Sequence, residues 1–422
     1  MKTQLAHAAK LAVGACAFTF ALSLSGCSSS TSESQPTQNA TTTPTASLTC
    51  EIPDSLGGIF TASEQFTEGD LAQEADTSNA TKLTLSDGQD LTINKEGIYL
   101  VSGSATDATI RVEADDLAKV QIVLDGVSIT NSSAPAIYVV SADKTFITLQ
   151  GENTLSTTGT FTADGSTNLD GVIFAKDDVT LNGTGSLTVK SSDNGIVSKD
   201  DLKITGGTYI VEAADGHALQ ANDSVRIAGG SLALQAGTDG IHANNDEDLS
   251  LGYVYICGGE FTINADSDAI EATSVAQLDG GSFTIDSTEG IEATYVQIND
   301  GNVSIKASDD GINATATSTS YDVTIEINGG SVDIDMGQGD TDALDSNGNL
   351  FINGGTVNIT AQFAFDFDGE SALNGGTVTV NGEQVTSIEN SMVMGGGPGG
   401  MGGPGNMPGG PGGNMPAPGS RP

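Results

Sequence analysis

Tryptophan is absent from this 422-residue chain, and aromatic residues make up only 5% of it. A platform of stacked rings for sugars is therefore poorly supported. Basic residues are scarce: 14 Lys and Arg stand against 55 Asp and Glu, for a net charge of −41. That disfavours a nucleic-acid partner, because phosphates call for clustered Lys and Arg. A chain so acidic is hydrated, salt-adapted or neutralised by bound cations. The apolar run from Leu11 to Leu24 is too short for a stable membrane span, which takes about 20 residues.

That run, preceded by Lys2 and Lys10, ends in Leu24-Ser25-Gly26-Cys27. Residues 1–26 read as a lipoprotein leader with Cys27 as the lipidated residue, so that the membrane is touched only through the lipid and the protein sits on the cell surface. A plain secretory signal or an uncleaved anchor is the alternative. Residues 27–50, rich in Ser and Thr, read as a flexible tether, and residues 391–422, rich in Gly, Pro and Met, as a disordered tail. Residues 51–82 show no repeat and read as a cap or loop. Cys50 and Cys257 are far apart in sequence and pair only if the fold brings them together; two unrelated thiols are the expectation.

Glycine is the commonest marker between residues 83 and 390, and it is ordered. Pairs fall at Gly206-Gly207, Gly229-Gly230, Gly258-Gly259, Gly280-Gly281, Gly329-Gly330, Gly354-Gly355 and Gly375-Gly376, with Asp300-Gly301 replacing one. The steps, roughly 20 to 29 residues, lie in the range of a solenoid. Each unit repeats one order: a glycine turn, an alternating run such as Phe283 and Ile285, an acidic turn such as Glu289-Gly290, and two further short runs. Three short strands per unit, apolar inward and Thr, Ser, Gln and Asp outward, predict an all-β fold, a parallel β-helix. About a dozen coils at roughly 4.8 Å each would span roughly 60 Å.

The acidic turns align as Asp170-Gly171, Asn194-Gly195, Asp215-Gly216, Asp239-Gly240, Asp268-Ala269, Glu289-Gly290, Asp310-Gly311 and Asp342-Ala343. Three residues on come Glu271, Glu292, Asn313 and Asp345, and further acids stand at Asp266, Asp309, Asp340, Asp366 and Asp368. Carboxylates stacked at about 4.8 Å repel by roughly 1 kcal/mol in water and roughly 3–4 kcal/mol at an effective dielectric of 20. Calcium, which takes oxygen ligands flexibly, would relieve this. The plainer reading is that each Asp simply forms its turn. The Gly-Gly-x-Gly-x-Asp nonapeptide of calcium rolls is absent.

The stretches Val120–Thr130, Ala136–Val139, Ile147–Leu155, Gly171–Leu181 and Gly195–Ile204, with the later Asp-Gly-Ile turns, resemble the clostridial-type carbohydrate-binding β-helix family. The resemblance covers roughly residues 83–385. It implies right-handed winding, bound calcium, a fold like that of pectate lyases, and binding of cellulose or polygalacturonate. Lys176 and Lys199, in matched Lys-Asp-Asp turns, and His217 and His242 are candidate ligand contacts. The plainer reading of each lysine is an ion pair with its neighbouring Asp, and of each histidine a turn or surface residue on neighbouring coils but at different turn positions.

The expected function is non-catalytic binding of an extended, acidic or plant cell-wall polysaccharide. The enzymatic alternative is a lyase, which would need a base beside a cation or arginine; Arg111, Arg226 and Arg421 are the only arginines. A glycosidase carboxylate pair cannot be picked out among so many acids. An adhesin or structural spacer is the remaining class. Oligomeric state is not legible.

Overall fold

A computed structural model of the chain describes residue 50, residues 57–337 and residues 341–391. The proposed leader, Cys27, residues 28–49 of the tether, Asp340 and residues 392–422 of the tail lie outside the described residues.

The repeat unit folds as its alternation predicts. Glu260–Ala265, Ser282–Ser287 and Asn302–Ala307 each bury every second residue, and like strands of successive units pair in parallel and in register. One ladder is a sheet of 12 parallel strands, from Leu91–Ile93 to Phe363–Phe367. The remaining strands form two more ladders, joined where Gly97–Thr106 and Lys119–Asn131 run through both. Residues 119–125 of the latter pair with Lys144–Gln150, and residues 128–131 with Glu152–Thr157. Each circuit of the chain thus visits three parallel ladders around one core of Ile, Val, Leu and Ala. The ring of Phe261 stacks on that of Phe283 at 4.4 Å, one unit above another.

The glycine pairs are explained by the stacking. At Gly281 the backbone turns with φ +104°, which L side chains rarely adopt. At Gly280 a Cβ would stand 2.7 Å from the carbonyl oxygen of Cys257 on the preceding circuit. Beside these corners the side chains of Asn299, Asn328, Asn353 and Asn374 form a ladder, in which the Nδ2 of each of the last three donates to the Oδ1 before it at 2.8 Å. The parallel stack ends where Thr377–Val380 meets Glu383–Val385 antiparallel through Asn381 and Gly382, both at positive φ.

Residues 57–80 run across the outer face of one ladder. Phe60 exchanges backbone hydrogen bonds with the Gln277 amide, at 2.8 and 3.0 Å. Asp70, 0% exposed, takes Lys144 and Lys203 at 2.5 and 3.6 Å and a hydrogen bond from Thr180 at 3.0 Å. This strap corrects two expectations. Outward polar residues of the ladder, among them Thr180, Asn182 and Gln277, are buried beneath it. Cys50 and Cys257 are not unrelated thiols: they form a disulfide that closes a separation of 207 residues, because the strap returns residue 50 to the coil that carries Cys257.

Candidate metal ladder and glycan cavity

The outer face of the 12-stranded sheet and the corner beside it carry three of the four ligand clusters found among the described residues. The sheet's register lines up one outward column: Arg111, Tyr138, Phe174, Val197, Gln220, His242, Glu271, Glu292, Asn313, Asp345 and Asp366. A parallel corner column holds Asp239, Asp268, Glu289, Asp310 and Asp342. The alignment read from the sequence needs two shifts: Gly171, not Asp170, pairs with Asn194, and the second falls at His217. Ile196 and Ile241 both pair with Leu219, so His217 shares the corner position with Asn194 and Asp239, and Asp215 lies exposed outside it.

Corner carboxylates do form turns. Asp239 Oδ1 accepts the backbone N–H of Asp268 at 3.1 Å, and Asp310 Oδ1 accepts that of Asp342 at 3.2 Å. That uses one oxygen each. Asp268, Glu289 and Glu292 offer oxygens that all lie within 4.8 Å of one another, as do Asp239, Asp268 and Glu271. Neither column contains Lys or Arg from residue 239 onward. Burial, then Glu289, Asp239, Glu292 and Glu271, push the Asp268 carboxyl up to about 8. Burial, then Glu289 and Glu271, raise Glu292 to about 7. Burial and neighbouring acids likewise raise Asp310 to about 7 and Asp345 to about 6. The donors are hard oxygens in excess of local positive charge, which fits a divalent cation.

Not every candidate joins the ladder. Asp366 is held by the Asn390 amide at 2.7 Å, and Asp368 is exposed near Asp345. Asp309 is exposed next to Asp310 and close to Glu289. Asp266 lies on another corner, in a groove with Lys190, Glu212, Asn264 and Asp286. A further acidic group, Asp178, Asp200 and Asp201, was missed. Its signal was the repeated Lys-Asp-Asp of residues 176–178 and 199–201, read for its lysines alone. Burial and the surrounding acids raise Asp200 to about 7.

Those lysines are placed by rings. Lys176 Nζ stands 5.9 Å from the Tyr138 ring centroid and Lys199 Nζ 5.5 Å from that of Phe174. The expected ion pair with the next residue gives way: Asp177 accepts the Ala142 N–H, and Asp200 faces other acids. Tyr138 and Phe174 pack with Leu169 and are buried, so they offer no open stacking surface. Lys199 and His242 both line a cavity of about 670 Å³, with Gln220, Asn222, Asn244 and Asn245, walled by residues 245–251. Gln220 Oε1 is buried there without a hydrogen-bond partner.

His217 and His242 occupy different register positions, yet their rings stack at 4.0 Å. Both Nδ1 atoms lie 2.9 Å from Asp239 Oδ2. Burial lowers the basicity of His242, but the hydrogen bonds that Asp239 and Glu271 accept from it outweigh burial and raise the imidazole to about 9.

A profile of the family described as carbohydrate-binding domain-containing protein matches residues 87–360 and, again, 289–393. No curated protein matches the chain. A solved structure of a polysaccharide lyase-like protein from C. thermocellum, a gadolinium derivative, is similar at 32% identity and a TM-score of 0.48. The likeness covers 51% of this chain and 94% of that one.

Proposed function

Because the chain belongs to the carbohydrate-binding domain-containing family, we propose that it holds an extended polysaccharide on the outer face of its 12-stranded sheet, without cleaving it. The observation that carries this is the polar cavity lined by Lys199, His242, four side-chain amides and the carboxylates of Asp223, Asp246, Glu247 and Asp248. Amides and carboxylates match sugar hydroxyls, and a bound cation would be needed before a sugar carboxylate approached these acids. The cavity lies on a regular ladder, so neighbouring units present side chains at a fixed spacing to a polymer.

Calcium belongs to the same reading. Asp268, Glu271, Glu289, Glu292, Asp310, Asp342 and Asp345 would hold it, and its charge would let an acidic polymer approach an acidic surface. Against lyase chemistry, Arg111 is engaged by Glu113 and Asp164, and Arg226 by Asp201, both away from the carboxylate ladder. Lipidation at Cys27 and display at the cell surface complete the proposal; the disulfide supports an oxidising compartment. The coils, about a dozen, would wind right-handedly, as about 98% of parallel crossovers do.

The test is retention on cellulose and polygalacturonate, with calcium and with chelator. Binding is expected, and Lys199→Ala should weaken it about tenfold, the value of one charge-assisted hydrogen bond. No retention by a folded protein on either polymer would sink the proposal. Unsaturated product from polygalacturonate would replace it with a lyase.

A further inference from the structure

The chain has three histidines, and the two beyond His7 meet at one point. His242 Nδ1 lies 2.9 Å from Asp239 Oδ2 and 2.9 Å from Glu271 Oε2. One ring nitrogen carries at most one proton, so two carboxylate oxygens compete for a single donor. His217 Nδ1 faces Asp239 Oδ2 at 2.9 Å, with the Thr238 hydroxyl at 3.0 Å. Asp239 is buried, its side chain 4% exposed, and its second oxygen is spent on the Asp268 N–H. Two imidazole nitrogens and two carboxylate oxygens therefore converge, with the Asp239 backbone N–H 3.4 Å from His217 Nδ1.

We propose that His217 Nδ1, His242 Nδ1, Asp239 Oδ2 and Glu271 Oε2 bind one zinc-class divalent ion, distinct from calcium held further along the ladder. Tetrahedral zinc with bonds of about 2.0–2.2 Å sets its ligand atoms about 3.3 Å apart, near the three contacts of 2.9 Å, and the rings stacked at 4.0 Å must splay by about 1 Å for both nitrogens to face the ion. The donor type sets the choice of metal. Beyond Glu271 the columns offer oxygen alone, which suits calcium; the two imidazoles at this end favour zinc, nickel or copper. Asp239 and Glu271 are where the two donor sets meet. The cavity beside His242 gives an ion a way in. The inference does not depend on glycan binding.

The test uses the full chain, stripped of metal and then given zinc in the presence of excess calcium. One equivalent of zinc should be retained, and cobalt in its place should give the intense visible bands of a tetrahedral site. His217→Asn and His242→Gln should each weaken zinc binding at least about 100-fold, since loss of a supporting residue alone costs up to that much. Both should keep the calcium-induced rise in melting temperature. Glu292→Gln should do the reverse. Zinc that calcium displaces, or that both histidine variants bind as well as the parent, would overturn the site. Should the variants fail to fold, the cobalt spectrum of the unaltered protein decides: octahedral bands alone would overturn it.

Discussion

Asp70 serves two lysines with one carboxylate, and among the described residues no other carboxylate comes within ion-pair distance of Lys144 or Lys203. Burial opposes its ionisation, but hydrogen bonds and the charge of Lys144 outweigh burial and hold its carboxyl well below the usual range. Such a group adds stability above its unfolded pKa and loses it as pH falls through the folded one. Asp70→Asn should cost about 3–5 kcal/mol, because two buried ammonium groups lose their partner; chemical denaturation measures it. The ladder carboxylates have the opposite sign. Asp268, Glu292, Asp310 and Asp345 sit at about 8, 7, 7 and 6, above their ordinary values. Their stability is full below about pH 4 and declines as pH rises through 6 to 8. In chelator the melting temperature should therefore fall across that window, and calcium should remove the fall. A flat profile in chelator would return these acids to plain turn residues.

At the scale of the element, the three ladders were legible because alternation and glycine corners mark every strand. The register was nearly so: two shifts of one residue, at Asp170 and at His217, separate the sequence alignment from the observed column. Hidden from the sequence was what lies on top of the strands. Thr180 and Gln277 look like outward polar residues, and they are outward; they are buried because a segment more than a hundred residues away crosses them. The asparagine ladder was equally hidden, since Asn before Gly-Gly reads as turn chemistry until the units stack. Asn299 is 1% exposed and joins Asp279, Gln297 and Asn328. Asn299→Ala should cost about 1–3 kcal/mol, the penalty for stranding those partners. A change near zero in thermal melting would show that water replaces the amide.

For the whole molecule, the disulfide was the largest surprise. A pair separated by 207 residues leaves no trace in local pattern, and only the path of the strap makes it possible. Cutting it in Cys257→Ser should lower stability by up to roughly 5 kcal/mol, the chain-entropy value for a loop of this size. Melting with and without reductant checks this: the parent should drop to the level of the variant. The site was legible in part. The acids and histidines could be named from their spacing, but not the shift that seats two imidazoles on Asp239, because it depends on one residue's difference between neighbouring turns.

The same disulfide sets how the protein bears tension. A pull applied before Cys50 does not enter at the first strand. It passes through the sulfur bridge to Cys257, directly after Tyr253–Ile256, and the coils before that strand are left slack. The cavity wall of residues 245–251 immediately precedes the same strand. A polymer held there and a chain held at its N-terminal side would share a load path of about one coil, leaving the Asp70 strap and the early ladders unstressed.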